Sequence, residues 1–520
     1  MKRLAKKFMT GVLTASMAAG VMAVPAFAEG LDAEISVTGV VSGDTAAYYQ
    51  ILKQNATTGE WELTDAMKNV TVNGNNLKAE DITDGVDASE LHAITAALSG
   101  AGTAMTEDGT TLKADNVDAG TYVVIITPGS ANNSGFVYNP VVVSADYDSA
   151  NTSNTAEAKK TDVTVKKTAD EAKKDVNKGD TISFKVEPVV PIFPKNYTNP
   201  VYKVADTLST GLEISDSDGD GEYADEITIT GVDSTNYTVT ATKAGFTVEF
   251  TSAYLKGLAA APTVEITYNA VVTSDADYSV NRMTNTAKIN FSNAPDDVTG
   301  NGTYEDKTNH YTFTIDGELG GEYTTEEKAV SKELVKIAVD QNGNPILDTA
   351  NEHEYTIADS SKKTASPLAG ATFKLTGGSL GANGMTAQSG TDGSITFEGL
   401  DAGTYTLKEI SAPTGYVVDN KEYSVVIAAQ YKTGTDELES YTITIDDTVT
   451  SSFKVSNTGE SAVTIVKTDT TILTSLLSNV KATGLPSTGG AGTTMFYVIG
   501  IILAAGAAVL LVTKRRMNTK

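Results

Sequence analysis

Apolar and polar residues alternate with a period of two along most of this chain. Runs such as Ala46–Leu52, Thr121–Thr127 and Pro140–Ser144 are rich in Val, Ile, Thr and Tyr and are separated by Gly, Asn and Asp, which is the pattern of short strands between turns. One segment departs from it. Asp87 can cap a helix, Glu90 completes a capping box, Leu91, Ile94 and Leu98 share a face, and Gly100 ends the run; this helix reads as packing. The pattern predicts an all-β protein, a linear array of tandem Ig-like β-sandwich domains. At ~150 residues per domain, three are expected, over 29–159, 160–326 and 327–468. The middle domain opens on a strand in which Val163, Val165 and Lys167 share a face. Its strands end near Asn293, and a polar, Gly- and Asp-rich connection runs to about Glu327. Residues 469–484 read as a spacer.

The two ends change the picture. Lys2, Arg3, Lys6 and Lys7 precede an apolar run from Phe8 to Val24, and Ala26-Phe27-Ala28 stands before Glu29; residues 1–28 read as a secretory signal peptide. Near the other end, Leu485-Pro486-Ser487-Thr488-Gly489 precedes an apolar run from Met495 to Val512, followed by Lys514, Arg515, Arg516 and Lys520. A run near the ~20 residues that cross a bilayer, followed at once by cations, behaves as a stop-transfer anchor. This order resembles the cell-wall sorting signal of Gram-positive surface proteins. The resemblance implies that a sortase cysteine attacks the Thr488 carbonyl, releases Gly489 with the membrane anchor and basic tail of 490–520, and holds the chain as a thioester.

Charge narrows the function further. The chain has 39 Lys and Arg against 66 Asp and Glu. Processing at both ends would remove eight basic residues and no acidic one, leaving 31 against 66, a net charge of −35. Phosphate binding needs clustered Lys and Arg, so nucleic acid is excluded as a partner. Cysteine is absent, although an exported protein could use disulfides, so any covalent staple must use other chemistry. His92, His310 and His353 are far apart in sequence and lack Cys partners; a zinc site is not expected, and they read as surface residues.

Pro188, Pro191, Pro194 and Pro200 crowd around Ile192-Phe193-Pro194-Lys195-Asn196, where neither a helix nor a central strand can form. Extended, pre-ordered backbone would hold the Lys195 amine outward. The segment resembles the pilin motif of sortase-assembled backbone pilins, a valine-rich stretch ending in Tyr-Pro-Lys. Val190, Pro194 and Lys195 match, Ile192 and Phe193 are conservative replacements, and Val186 stands where the family usually has Trp. The resemblance implies that Thr488 of one subunit becomes amide-linked to Lys195 of the next, a head-to-tail contact that makes a filament.

Tyr405-Thr406-Leu407-Lys408-Glu409-Ile410-Ser411-Ala412-Pro413-Thr414-Gly415-Tyr416 resembles the E-box of collagen-adhesin B-type domains, with Ile410 where Thr is usual. In that family the glutamate promotes an amide bond between a lysine on the first strand and an asparagine on the last. Leu334, Lys336 and Ala338 share a face near the start of the third domain, and Phe453, Val455 and Asn457 share one near its end. The resemblance thus implies a Lys336–Asn457 bond promoted by Glu409. In the second domain, Asp206-Thr207-Leu208 with Gly211-Leu212 resembles the aspartate-bearing strand end of A-type domains. That implies a Lys167–Asn285 bond promoted by Asp206, with the choice of Lys167 over Lys166 resting on alternation. The resemblance implies that these bonds form autocatalytically, and no enzyme activity on other substrates is expected. The first domain offers no such constellation.

Asp216, Asp218 and Asp220 have the spacing that opens a calcium loop, but the twelfth position is Ile227, with Glu226 beside it. The cluster reads first as a solvated acidic turn, with calcium as the cation it would hold; no cofactor is required. The resemblance implies as partners a class C-type pilin sortase, a housekeeping sortase, identical subunits, minor pilins and a host-surface ligand. The competing reading is a monomeric wall-anchored adhesin of the same domain type. A surface hydrolase is a third: Gly377-Gly378-Ser379-Leu380-Gly381 fits a nucleophile-elbow string, but it falls in a Gly-rich turn between strands with no histidine placed to serve it.

Overall fold

The computed structural model describes residues 33–482 apart from 56–57, 59, 130–134, 146–153, 171–173, 274–279, 316–333, 357–361, 457–463 and 468–474. The expected signal peptide, the sorting motif with Thr488, the apolar anchor and Asn457 lie outside the described residues. The chain divides into two compact units, Met1–Asp275 with Arg282–His310 and Ala276–Asn281 with Tyr311–Lys520. The described residues are mostly β-strand, as the alternation predicts.

The first unit holds the stretch expected as the N-terminal domain and most of that expected as the middle one. In the N-terminal one, a sheet of Thr155–Glu157, Ala33–Thr38, Thr111–Val117 and Thr106–Asp108 stands apart from a second built on Val141–Ala145, Gly120–Thr127, Thr45–Gln54 and Trp61–Leu63. Strand Gly120–Thr127 is buried at every position but the last, because both of its faces are covered. Val124 and Ile126 join Ile35, Val37 and Leu112 in one core. Val123 and Ile125 meet Leu91 and Ile94 in another, supplied by the helix Ala88–Ala97, whose Asp87–Glu90 capping box closes as the sequence predicts.

The middle domain is a sandwich. One sheet runs Val165–Ala169, Thr181–Pro188, Glu265–Val272, with Leu212–Ile214 and Thr228–Thr230 both pairing the last of these. The other runs Tyr237–Thr242, Gly245–Phe250, Tyr202–Leu208, Val280–Phe291 and the part of strand Gly302–Ile315 up to His310. The 14-residue strand Gly302–Ile315 occupies part of the stretch from Asn293 to Glu327 expected as a polar connector, of which 316–327 lie outside the described residues. Thr308, Asn309, His310, Thr312 and Thr314 are buried within it, so the polar text that suggested a connector belongs to a strand with polar residues inside. His310 corrects a second expectation: it is buried against the Phe184 ring at 5.3 Å, not on the surface.

In the second unit, a seven-stranded sheet runs Gly381–Gln388, Thr372–Gly377, Gly403–Ser411, Glu422–Tyr431, Leu438–Ile445, Thr448–Ser456, Thr464–Lys467. A three-stranded sheet centres on Ser475–Lys481, which lies parallel to Leu334–Val339 and antiparallel to Tyr416–Val417. The spacer expected over 469–484 is therefore in part a strand, and the domain's closing element lies later in sequence than 468.

Candidate functional site: two buried lysine clusters and an exposed lysine turn

On strand Val165–Ala169, Val165 and Lys167 point inward and Lys166 outward. Lys166 reaches only Glu187, at 4.0 Å, with its side chain 70% exposed. Lys167 and Asp206 form an ion pair between side chains that are both 0% exposed. Asp206 lies opposite Ala287 and Leu208 opposite Asn285, which makes Asp206 and Asn285 diagonal neighbours on one face of their sheet. Gly245 lets the neighbouring strand approach there: its φ is +147°, and a Cβ on it would stand 2.1 Å from the Asp206 carbonyl oxygen.

Lys167 comes from the facing sheet, and so does a residue that sequence reasoning missed. The Tyr268 hydroxyl accepts from Lys167 Nζ at 2.9 Å and from Asn285 Nδ2 at 2.6 Å, and donates to Asp206 Oδ1 at 2.6 Å. Asn285 Oδ1 is buried without a partner among the described residues. The Tyr268 ring is stacked on Phe184 at 5.3 Å and meets Phe246 edge-on at 5.1 Å, and Lys167 Nζ lies 4.9 Å from the Phe184 ring centre. Only the i+2 alternation of Glu265–Val272, which puts Tyr268 inward with Ile266 and Ala270, could have pointed to it.

Burial in this aromatic setting pushes the Lys167 amine below the ordinary lysine value, with Asp206 opposing. It pushes the Asp206 carboxyl up, against the pull of Lys167. Both shifts favour moving one proton from amine to carboxylate, giving a neutral nucleophile beside a neutral acid. A neutral amine can attack an amide carbon, and a carboxylic acid can hydrogen-bond its oxygen. The group is equipped for amide exchange.

In the second unit, Lys336 is fully buried within a strand whose six residues are all buried. Its Nζ lies 3.3 Å from Glu409 Oε2 and 5.0 Å from the Phe373 ring centre. Burial lowers the amine's pKa, with Glu409 opposing. Among the described residues the asparagine against Glu409 is Asn479; the expected Asn457 lies outside them. Asn479 Nδ2 donates to Glu409 Oε2 at 2.7 Å and to the Val417 carbonyl at 2.8 Å, and the Asp419 N–H donates to the same carboxylate oxygen at 2.9 Å. Glu409 Oε1 and Asn479 Oδ1 are buried without partners among the described residues. Lys336 pairs with Leu477 and Ala338 with Asn479, so lysine and asparagine are diagonal neighbours on adjacent parallel strands. The missed signal was Leu477 and Asn479 sharing a face two residues apart in a stretch taken for a spacer.

Lys195 is exposed at the second position of a turn closed by the Tyr197 N–H to the Pro194 carbonyl at 3.0 Å. Its neighbours are anchored: Phe193, Pro194 and Tyr197 are buried, the two rings 5.2 Å apart, and Asn196 Nδ2 donates to Thr127 Oγ1 at 3.0 Å. Partial burial of its stem lowers the Lys195 pKa. The amine therefore stands on a fixed base in solvent.

The acidic turn draws Asp216, Asp218 and Glu226 together, and Asp218, Asp220 and Asp225, each set with oxygens within 4.8 Å of one another. Glu226, the residue beside the twelfth position, is the one that reaches in. The carboxylates accept backbone N–H groups of the turn itself, among them Gly219 to Asp216 at 2.7 Å and Glu222 to Asp220 at 2.7 Å. Ser379 sits in a short 3₁₀ turn between two strands and donates to Asp401 at 2.7 Å, which is not the strand-to-helix elbow a serine nucleophile needs.

Comparison with known proteins finds two family matches, both in the C-terminal part of the chain. A prealbumin-like fold domain of the SpaA family matches residues 353–442, and an LPXTG cell wall anchor motif matches residues 478–519. The trypsin-resistant surface T6 protein of Streptococcus pyogenes serotype M6 is 24% identical over 450 residues, 76% of this chain and 79% of that one. The solved T6 backbone pilin of the same organism covers 88% of this chain and 100% of its own, with 16% identity and a TM-score of 0.47. The full-length major pilin SpaD of Corynebacterium diphtheriae covers 87% and 98%, with 16% identity and a TM-score of 0.38.

Proposed function

We propose that this protein, a cell-wall-anchored surface protein of the sortase-assembled major-pilin kind, is a pilus shaft subunit polymerised by sortase through an amide between Thr488 of one copy and Lys195 of the next. The observation that carries this reading is the Lys195 turn: an exposed amine on a buried aromatic base, in a chain that ends in an LPXTG anchor. A thioester at Thr488 needs a nucleophile that is accessible and held still, since positioning supplies much of the rate in acyl transfer. Each chain offers one acceptor amine and one activated carboxyl, so the polymer grows head to tail. A pilin sortase makes these links and a housekeeping sortase attaches the finished fibre to the wall. Boiled denaturing gels of wall extract test this: a shaft subunit gives a high-mass ladder that depends on Lys195, and a monomeric adhesin gives none.

The same reading assigns the buried clusters to internal Lys–Asn amide bonds, Lys167–Asn285 promoted by Asp206 and Lys336–Asn479 promoted by Glu409. In each, a buried lysine, a buried carboxyl and an asparagine with an unpartnered carbonyl oxygen lie together. Held groups can reach effective molarities of about 10⁵ M or more, and ammonia leaves once per bond. Intact mass of the mature chain is expected to be low by one ammonia for each bond. Lys167→Ala is expected to restore one ammonia and Lys166→Ala none, because Lys166 faces solvent; a mass change in Lys166→Ala instead would move the bond to that residue.

A further inference from the structure

We propose that the Tyr268 hydroxyl is the proton shuttle of amide formation in the middle domain, carrying a proton from the attacking Lys167 amine to the departing Asn285 nitrogen. This rests on the reading of that cluster as a Lys–Asn bond site and adds a residue to it. Three observations carry it. The hydroxyl touches both reacting nitrogens, Lys167 Nζ at 2.9 Å and Asn285 Nδ2 at 2.6 Å. It is tied to Asp206 Oδ1 at 2.6 Å, which fixes it between them. Tyr268 is 4% exposed with its ring held between Phe184 and Phe246, so bulk water has no ready access to take over the transfer.

The step balances as follows. The Lys167 ammonium first gives one proton to Asp206, leaving a neutral amine and a carboxylic acid. Nζ then bonds to Asn285 Cγ while the acid hydrogen-bonds the amide oxygen, the atom that otherwise has no partner. The new Nζ–Cγ bond leaves Nζ with one hydrogen to lose, and Nδ2 needs one to leave. Tyr268 takes the first and gives its own to Nδ2; the Cγ–Nδ2 bond breaks, ammonia departs, and the phenol is regenerated. Burial holds the phenol's pKa well above its ordinary value, which favours passing the two protons on together over forming a free phenolate. The second unit manages differently: Asn479 Nδ2 is held by Glu409 and the Val417 carbonyl. It therefore serves as a control within the same molecule.

The test is the rate of ammonia loss in freshly synthesised mature chain, followed by intact mass and by mass spectrometry of the linked peptides, for wild type, Tyr268→Phe and a chain carrying fluorotyrosine at 268. Tyr268→Phe is expected to slow formation of the Lys167–Asn285 link on the order of a hundredfold or more, the usual effect of losing a positioned proton donor. The Lys336–Asn479 link should form at its normal rate. Fluorotyrosine keeps the ring's shape and changes only the acidity of the phenol, so it should alter the rate and its pH profile without changing the melting temperature. This arm decides the matter even if Tyr268→Phe folds poorly. A Lys167–Asn285 link that forms at the wild-type rate with fluorotyrosine at every pH would overturn the shuttle and leave the bond assignment standing. Wild-type protein with no Lys167–Asn285 linked peptide would remove the bond assignment itself.

Discussion

Lys195→Ala is expected to abolish the high-mass ladder and leave a single monomer band. The lysine is exposed and its turn is held by Phe193, Pro194 and Tyr197, so truncation removes the nucleophile with little cost to the fold; exposed substitutions of this kind usually stay within about 0.5 kcal/mol. Lys195→Arg should give the same loss. Guanidinium keeps the charge but never supplies a neutral amine, so a charge-docking role and a nucleophilic role separate cleanly. Circular dichroism and melting should match wild type in both variants. A ladder that survives in Lys195→Ala would mean that another amine accepts Thr488, and the shaft assignment of this turn would fall.

The second large effect is expected from Asn479→Ala. A Lys336–Asn479 bond closes a loop of roughly 140 residues, for which the chain-entropy account of cross-links gives about 5 kcal/mol. In a domain of this size that corresponds to a melting shift of about 10–20 °C. The variant should also retain one more ammonia than wild type, while Asn457→Ala should be unchanged in mass. Glu409→Ala should do at least as much damage, because it prevents the bond and strands the Lys336 amine in a site where it is fully buried; removing one partner of a buried ion pair costs about 3–5 kcal/mol. Retention of ammonia in Asn457→Ala, with normal mass in Asn479→Ala, would return the bond to the earlier asparagine.

The two lysine clusters show why some of this was legible and some was not. Clean alternation, with Val165 and Lys167 inward, picks Lys167 over Lys166, while Asp206, inward with Val204 and Leu208, and Asn285 could be found from the resemblance to A-type domains. Tyr268 could not, since a tyrosine alternating with Ile266 and Ala270 is what any sandwich core contains. Its distinction is a hydroxyl meeting three side chains from other strands. A third domain closing at 468 offers Asn457 and leaves Asn479 beyond its end. Strand Ser475–Lys481 pairs in parallel with Leu334–Val339, a contact between elements about 140 residues apart that no local pattern announces. The strand Gly302–Ile315 was missed for a related reason: polar residues filling buried positions look, in sequence, like a connector.

What the sequence by itself determined is the β class, the exported and anchored character, and the residue types available for amide chemistry. These depend on period-two alternation, on composition and on ordered motifs at the two ends, all of which are local. What only the tertiary structure decided is which side chains share a site: Asn479 beside Glu409, Tyr268 among Lys167, Asp206 and Asn285. Burial and proximity are properties of two sheets brought face to face, and it is burial that removes charge from a lysine and an acid so that one can attack where the other assists.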